Sequence, residues 1–328
     1  MRLHKPVLAE QAVSLLNCKD GGFYVDCTLG MGGHAEQILK VSSPRGRLLG
    51  MDRDRQALEI AGARLKPYHG RYKTVHGDYK LLSAVLEQTN SPIPDGILAD
   101  LGPSLLQFTS AERGFSFQLD GPLDMRMNPE EGVTAADILN TESPEELQRL
   151  FRAYGEEPAA KRIAQRIVAV RASEPIRTTS QLTRLVESVV PRRPGQKIHP
   201  ATRTFQALRI AVNQELEGLD AFLFDAFDAL ADGGRLVIIA FHSLEDRIVK
   251  RAFQFLSVAC RCPKSVMSCQ CGGKPLSKLL TRSAVMADEQ EIAQNPASRS
   301  ARLRCIEKLP GSGPAPRNLW EGWLRELQ

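Results

Sequence analysis

The hydrophobic and polar positions of this chain fall into two rhythms. The first is a set of short apolar runs, each closing on a polar group. They are Phe23-Tyr24-Val25-Asp26, Arg47-Leu48-Leu49-Gly50-Met51-Asp52, Tyr72-Lys73-Thr74-Val75-His76 with Gly77-Asp78-Tyr79 behind it, and Gly96-Ile97-Leu98-Ala99-Asp100. Runs of this length bounded by turn residues predict strands. The second rhythm lies around them, where apolar residues recur at helical intervals: Glu10 to Leu16, Ala35 to Leu39, Arg55 to Leu65 with Leu58, Ala61 and Leu65 aligned, and Leu81 to Leu86. Strands alternating with helices predict an α/β fold built on a doubly wound, Rossmann-like sheet.

Strand periodicity disappears from about Gln107 to Pro200. Arg113-Gly114-Phe115-Ser116-Phe117 and Asp120 to Met127 read as ordered loops, and helices are predicted at Ala135 to Asn140, Pro144 to Tyr154, Pro158 to Arg171 and Ser180 to Val190. Ser143-Pro144-Glu145-Glu146 is a well-formed helix start, with a capping serine, proline at the first position and acids in the first turn. A basic linker, Pro191 to Lys197, leads back to the sheet, and His199 opens a helix running to Leu216. Another helix, Ala221 to Leu230, precedes the most apolar run of the chain, Arg235 to Ala240. That run ends at Phe241-His242-Ser243-Leu244-Glu245-Asp246; a helix to about Phe255 and a last alternating strand, Ala301 to Glu307, follow. The expected organisation is a sheet domain in two parts, 1–107 and 201–328, interrupted by an all-helical insertion, 108–200.

The chemistry concentrates where strands end. After Asp26 comes Cys27-Thr28-Leu29-Gly30-Met31-Gly32-Gly33-His34, a strand-loop-helix turn, and Asp52 stands 22 residues after Gly30, the place of a ribose-binding acid. A dinucleotide fingerprint asks for a third glycine where Ala35 stands. Asp26 would also repel a pyrophosphate. An acid there suits a ligand with an ammonium group and no phosphate, and S-adenosylmethionine carries both an ammonium group and a ribose. A glycine turn without a ligand is the alternative at this point. Asp26, Asp52, Asp78 and Asp100 all close predicted strands, where open α/β sheets bind ligands. Asp78 is placed to bond an adenine and Tyr79 to stack on it, with Tyr79 as a packing aromatic an equal reading.

The 328 residues are 42% hydrophobic and 25% charged, as in a globular protein of one or two domains. A net charge of +5 is compatible with a nucleic-acid partner without requiring one. No apolar run approaches a membrane span, and Met1 to Pro6 lacks the apolar core of a signal peptide, so no membrane partner and a cytoplasmic location are expected. Seven cysteines in a long chain argue against a disulfide framework. Cys260-x-Cys262 and Cys269-x-Cys271 bring zinc to mind, but zinc pairs usually enclose two to four residues, so a reduced cysteine loop is preferred and no metal is assigned.

Several long motifs together resemble one family. They are Thr28-x-Gly30-x-Gly32-Gly33-His34, Arg113 to Phe117, Gly121-Pro122-Leu123-Asp124-Met125-Arg126-Met127, His199-Pro200-Ala201-Thr202-Arg203-Thr204-Phe205-Gln206 through Ile210, and Phe241 to Arg247. These are similar to the motifs of the bacterial ribosomal RNA small-subunit methyltransferase H family, once called the MraW family. The likeness runs from His4-Lys5-Pro6-Val7-Leu8 to the Asn295 to Arg304 stretch. It implies a class I methyltransferase sheet with an inserted helical domain for substrate recognition. It implies transfer of a methyl group from S-adenosylmethionine to N4 of a cytidine in 16S rRNA, in the decoding region at the P site, with the small ribosomal subunit as the setting and a homodimer as an open assembly. Carried over by position, the cofactor contacts are Gly32, Gly33, His34, Asp52, Tyr79, Asp100 and Gln107, with Asp100 also catalytic. Where the family usually shows Val-Ser-Ser-Pro-Gln after Asp-Leu-Gly, this chain has Pro103-Ser104-Leu105-Leu106-Gln107; Tyr79 replaces a more usual phenylalanine.

The residues fit that chemistry independently. The N4 lone pair of cytosine is delocalised into its ring, so the amine needs an acceptor and in-line alignment rather than a covalent intermediate. Methylation at carbon 5 would need a cysteine nucleophile, and none lies near the Asp100 loop. Lys161, Arg162, Arg166 and Arg171 make one helix of the insertion basic, with an RNA-gripping face and a merely solvated face equal readings, and the Arg192-Arg193 linker adds to the first. Other readings are a methyltransferase of another nucleic-acid amine, an NAD-dependent oxidoreductase, which lacks its third loop glycine, and a non-catalytic RNA-binding protein on the same scaffold.

Overall fold

The computed structural model describes residues 6–192, 195, 198–262, 267–269 and 271–325. The His4-Lys5 start of the family likeness, and Arg193 and Lys197 of the basic linker, lie outside the described residues. Every apolar run singled out above is a strand: β1 (Phe23–Asp26), β2 (Arg47–Asp52), β3 (Tyr72–His76), β4 (Gly96–Asp100) and β5 (Arg235–Ala240). Two more follow, β6 (Ser277–Leu279) and β7 (Arg302–Lys308). One sheet contains all seven in the order β3-β2-β1-β4-β5-β7-β6. The first five strands are parallel; β7 runs antiparallel to β5, and β6 antiparallel to β7.

The runs read as almost continuously apolar because the sheet is covered on both faces. In β5, Leu236 and Ile238 enter one core, with Phe222 and Phe227 of helix Leu219–Ala229 and Phe253 of helix Ser243–Ser257. Val237 and Ile239 enter the other, with Leu16, Ile38 and Leu39 of helices Ala9–Leu16 and Gly33–Val41. The same two-residue alternation divides Val25 from Tyr24 and Ile97 from Leu98. Each such side chain contributes about 1.5–3 kcal/mol when fully buried. The fixed alternation leaves the strand ends, not the faces, open to a ligand.

The chain separates into two compact units, 1–102 with 217–328, and 103–216. The second unit is all helical apart from its loops and extends further at both ends than the 108–200 span read from the sequence. The reason is helix Thr202–Asn213. It buries Phe205, Ala207 and Leu208 with Leu147, Phe151, Ile163 and Leu182 of the helical core. Asn213 at its end accepts from Met127 N at 2.7 Å and donates to Met125 O at 2.7 Å, fastening the helix to the 113–127 loop. Arg171 is occupied inside this unit, donating to the carbonyls of Leu139 and Glu142. Among the described residues, no helix is long and apolar enough to cross a membrane.

Candidate active site at the carboxyl edge of the sheet

The sheet order sets the place. From β1 the chain winds outward through β2 and β3, then returns to lay β4 on the other side of β1, so the order reverses between β1 and β4. Ligands of open α/β sheets bind in the crevice outside such a switch point. Asp26 and Asp100 are the last residues of these two strands, and Asp52 is the last of β2.

Thr28 links the two central strands, its Oγ1 accepting from Asp100 N at 2.6 Å. Gly32 stands at φ 76 as the N-cap of helix Gly33–Val41, a left-handed conformation that disfavours a side chain. Gly33 has a packing reason as well: a Cβ there would stand 3.0 Å from Pro6. The first turn of the helix carries His34, buried, with Nε2 donating to Val7 O at 2.9 Å. A carbonyl only accepts, so the neutral imidazole carries its proton on Nε2 and presents Nδ1 to Asp100 Oδ2, 3.8 Å away.

Asp52 receives two backbone donors, Gly30 N on Oδ2 at 2.6 Å and Asp54 N on Oδ1 at 2.9 Å. The remaining lone pairs of a carboxylate leave room for ribose hydroxyls. Asp78 accepts from Lys80 N at 3.0 Å and lies 3.6 Å from the Arg53 guanidinium. Tyr79 tilts its ring against Phe222, centroids 4.7 Å apart, so the packing role is filled by one contact of this ring. Gln107 lies in the helical unit, where it forms a capping box with Ser104: Ser104 N donates to Gln107 Oε1 at 3.0 Å and Gln107 N to Ser104 Oγ at 3.4 Å. Gly32, Gly33, His34, Asp52, Tyr79 and Asp100 thus belong to the sheet unit, and Gln107 to the other.

Three acids at this edge are pushed toward their neutral forms. Burial, reinforced by Asp52, raises Asp26 to about 7 against the single bond it accepts from Thr28 N. Burial raises Asp52 to about 6, and burial with the carboxylates of Asp26 and Glu245 raises Asp100 well above the ordinary range. Asp26 Oδ2 and Asp100 Oδ1 are buried with no hydrogen-bond partner among the described residues. Buried carboxylate oxygens without partners are costly, and they fit a ligand that brings a cation and donors.

Glu245 was missed as a site residue in the sequence, although its motif was quoted. It sits in the first turn of helix Ser243–Ser257, with Oε2 accepting from Phe241 N at 3.0 Å and Oε1 3.2 Å from His242 Nε2. His242 caps that helix, its Nδ1 accepting from Glu245 N. The available signal was an acid just after the end of the most apolar strand. Asp246, next to it, serves the framework: against its burial, Arg304 and Arg302 hold it below the ordinary carboxylate range, with Arg304 Nε 2.6 Å away.

Five parallel strands closed by an antiparallel β7 slotted between β5 and β6, with acids at the ends of β1, β2 and β4, define a class I methyltransferase, whose methyl donor is S-adenosylmethionine. Within that class the chain belongs to the MraW methylase family, whose profile matches residues 1–309. Among curated relatives, the ribosomal RNA small subunit methyltransferase H of Geotalea uraniireducens is 50% identical over 307 residues, 93% of this chain and 98% of that protein. The protein of the same name from Thermomicrobium roseum is 51% identical over 310 residues, 94% of this chain and 95% of its own length.

Proposed function

We propose that this methyltransferase modifies N4 of a cytidine in 16S rRNA, in the decoding region at the P site, within the small ribosomal subunit. The names of its relatives support the rRNA substrate, and the quoted motifs support the position. The observation that carries the chemistry is Asp100 Oδ1, a buried acceptor without a partner at the switch point.

The residues fit S-adenosylmethionine, which supplies an electrophilic methyl group on a sulfonium. Asp26 would take the ammonium end, the Gly32-Gly33 turn would let the backbone come close to the ligand, and Asp52 would take the ribose. Tyr79 would stack on the adenine. Thr28 Oγ1, accepting from Asp100 N, fixes the backbone that carries this carboxyl. As N4 bonded to the methyl carbon, the carbon–sulfur bond would break with its electron pair leaving on sulfur as a neutral thioether, and N4 would have to lose a proton. In its ionised form Asp100 would accept an N4 hydrogen bond and then that proton, for which its buried surroundings raise its affinity. No nucleophilic cysteine enters. Cys27 is buried, and burial followed by the Asp26 charge pushes its thiol well up, away from the thiolate.

The helical unit is the proposed RNA grip. Lys161 and Arg162 are exposed at the start of helix Ala160–Arg171. Arg162 and Arg203 line a cleft of about 500 Å³ in that unit together with His199 and Glu157, and the two guanidiniums are suited to phosphates.

Asp100→Ala tests the assignment. Single-turnover methylation of saturating small subunits at saturating cofactor should fall by about a hundredfold or more, because acceptor and alignment are lost together. RNA binding should survive. A near-normal rate would remove Asp100 from the chemistry.

A further inference from the structure

Four cysteines unused by methyl transfer lie between helix Ser243–Ser257 and β6. Cys260 Sγ is 3.6 Å from Cys269 Sγ and 3.8 Å from Cys271 Sγ, and the last two sulfurs are 3.5 Å apart. Cys262 completes the group, all four sulfurs lying within 4.8 Å of one another. All seven cysteines of the chain are free thiols, and a disulfide would hold its sulfurs at about 2.05 Å. Around a tetrahedral zinc ion with bonds of about 2.3 Å, neighbouring sulfurs stand about 3.8 Å apart, the edge of that tetrahedron. The separations found here are close to that edge.

We propose that Cys260, Cys262, Cys269 and Cys271 bind one zinc ion as a closed tetrathiolate site. The C-x-C spacing, which in the sequence weighed against a metal, is no obstacle: the sulfurs of Cys260, Cys262, Cys269 and Cys271 already converge within 4.8 Å of one another. The surroundings are built for thiolates. Arg261 N donates to Cys271 Sγ at 3.2 Å. Gly272 and Gly273, at φ 80 and 62, turn the chain sharply behind Cys271. The buried Arg261 guanidinium staples the loop to the helix end, donating to Phe255 O at 2.7 Å, Leu256 O at 2.9 Å and Lys274 O at 3.1 Å. Four soft protein ligands select zinc over harder cations and leave no open position, so the ion is structural. It ties Cys260 and Cys262, which follow the helix, to Cys269 and Cys271, which precede β6, and with them the C-terminal end of the helix whose first turn carries Glu245.

The test uses the full chain, purified under reducing conditions without chelator and analysed by plasma mass spectrometry. About one zinc ion per chain is expected, falling below about a tenth in the Cys260→Ser, Cys271→Ser double variant and staying full in Cys18→Ser. Because the double variant could fail to fold, the wild-type protein is also stripped of metal and titrated with cobalt(II), which should give the visible absorption of a tetrahedral tetrathiolate. Removing zinc should lower the melting temperature, and adding it back should restore it. Absence of zinc together with absence of that cobalt spectrum would overturn the site. So would iron in place of zinc, or a Cys260–Cys269 disulfide in the reduced preparation.

Discussion

Asp26→Asn separates what the carboxylate does for the ligand from what it does to the fold. Asp26 is 1% exposed, accepts one bond from Thr28 N at 3.2 Å and has its other oxygen unpartnered. Its folded value of about 7 stands some 3 units above the ~3.9 of an unfolded aspartate. A raised folded value means that this group favours the folded state fully below about pH 4 and loses that advantage as pH rises through about 7. At about 1.36 kcal/mol per unit, the ionised side chain disfavours the cofactor-free fold at pH 8 by up to about 4 kcal/mol. Asparagine removes the charge but leaves an amide hydrogen in need of a partner, a penalty of about 1–3 kcal/mol. The variant should therefore be more stable than the wild type at pH 8 by about 1–3 kcal/mol, or a few degrees in melting temperature. Near pH 5 only about 1.5 kcal/mol of that destabilisation remains, because the unfolded carboxyl is ionised while the folded one is neutral, and the amide penalty should cancel the gain. Affinity for S-adenosylmethionine should fall at least tenfold, because the ammonium loses its counter-charge. Calorimetric melting of the cofactor-free proteins at both pH values checks the first part, and titration with cofactor the second. An equal difference in melting temperature at pH 5 and pH 8 would refute the buried-charge reasoning.

Other outcomes follow from the same geometry. Asp52→Ala should weaken cofactor binding by about 1–3 kcal/mol in calorimetry, and unchanged affinity would remove Asp52 from the site. For the wild type, cofactor affinity should decline as pH falls from 8 to 5, since protonating Asp26 near 7 and Asp52 near 6 removes the charges that attract a cation. A flat profile would contradict this. Reversing Lys161, Arg162 and Arg192 to acids should weaken RNA binding and flatten its salt slope by about 2, taking ~0.7 per phosphate contact, while sparing cofactor affinity. Loss of cofactor binding with RNA binding intact would place these residues elsewhere.

The central strands were legible because burial on both faces wrote them as nearly unbroken apolar runs, while β3, the half-exposed edge strand, has no such run; Asp26, Asp52 and Asp100 were legible because each closes a central run. What escaped depends on contacts between distant parts of the chain. β6 is three residues long and shows no period of its own; it exists because β7 offers an edge to Ser277-Lys278-Leu279. The apolar stripe of Thr202–Asn213 announces a helix but cannot say which core receives it, and Phe205 and Leu208 go to the helical unit. Glu245 influences Asp100 because β5 pairs with β4, Asp100 against Ile239, a register that spacing along the chain does not reveal. The packing partner of Tyr79, Phe222, lies 143 positions away, so the sequence left stacking and packing level. Cysteine spacing likewise hid the convergence of four sulfurs, which the turn at Gly272-Gly273 and the Arg261 staple bring about.

The central claim is the atom that receives the methyl group. Small subunits isolated from cells lacking this enzyme, incubated with the purified protein and methyl-labelled S-adenosylmethionine, are digested to nucleosides and separated by chromatography with mass detection. The account predicts label in N4-methylcytidine at one decoding-region position of 16S rRNA. Label in 5-methylcytidine or in a methylated adenosine, or label confined to another RNA, would contradict it.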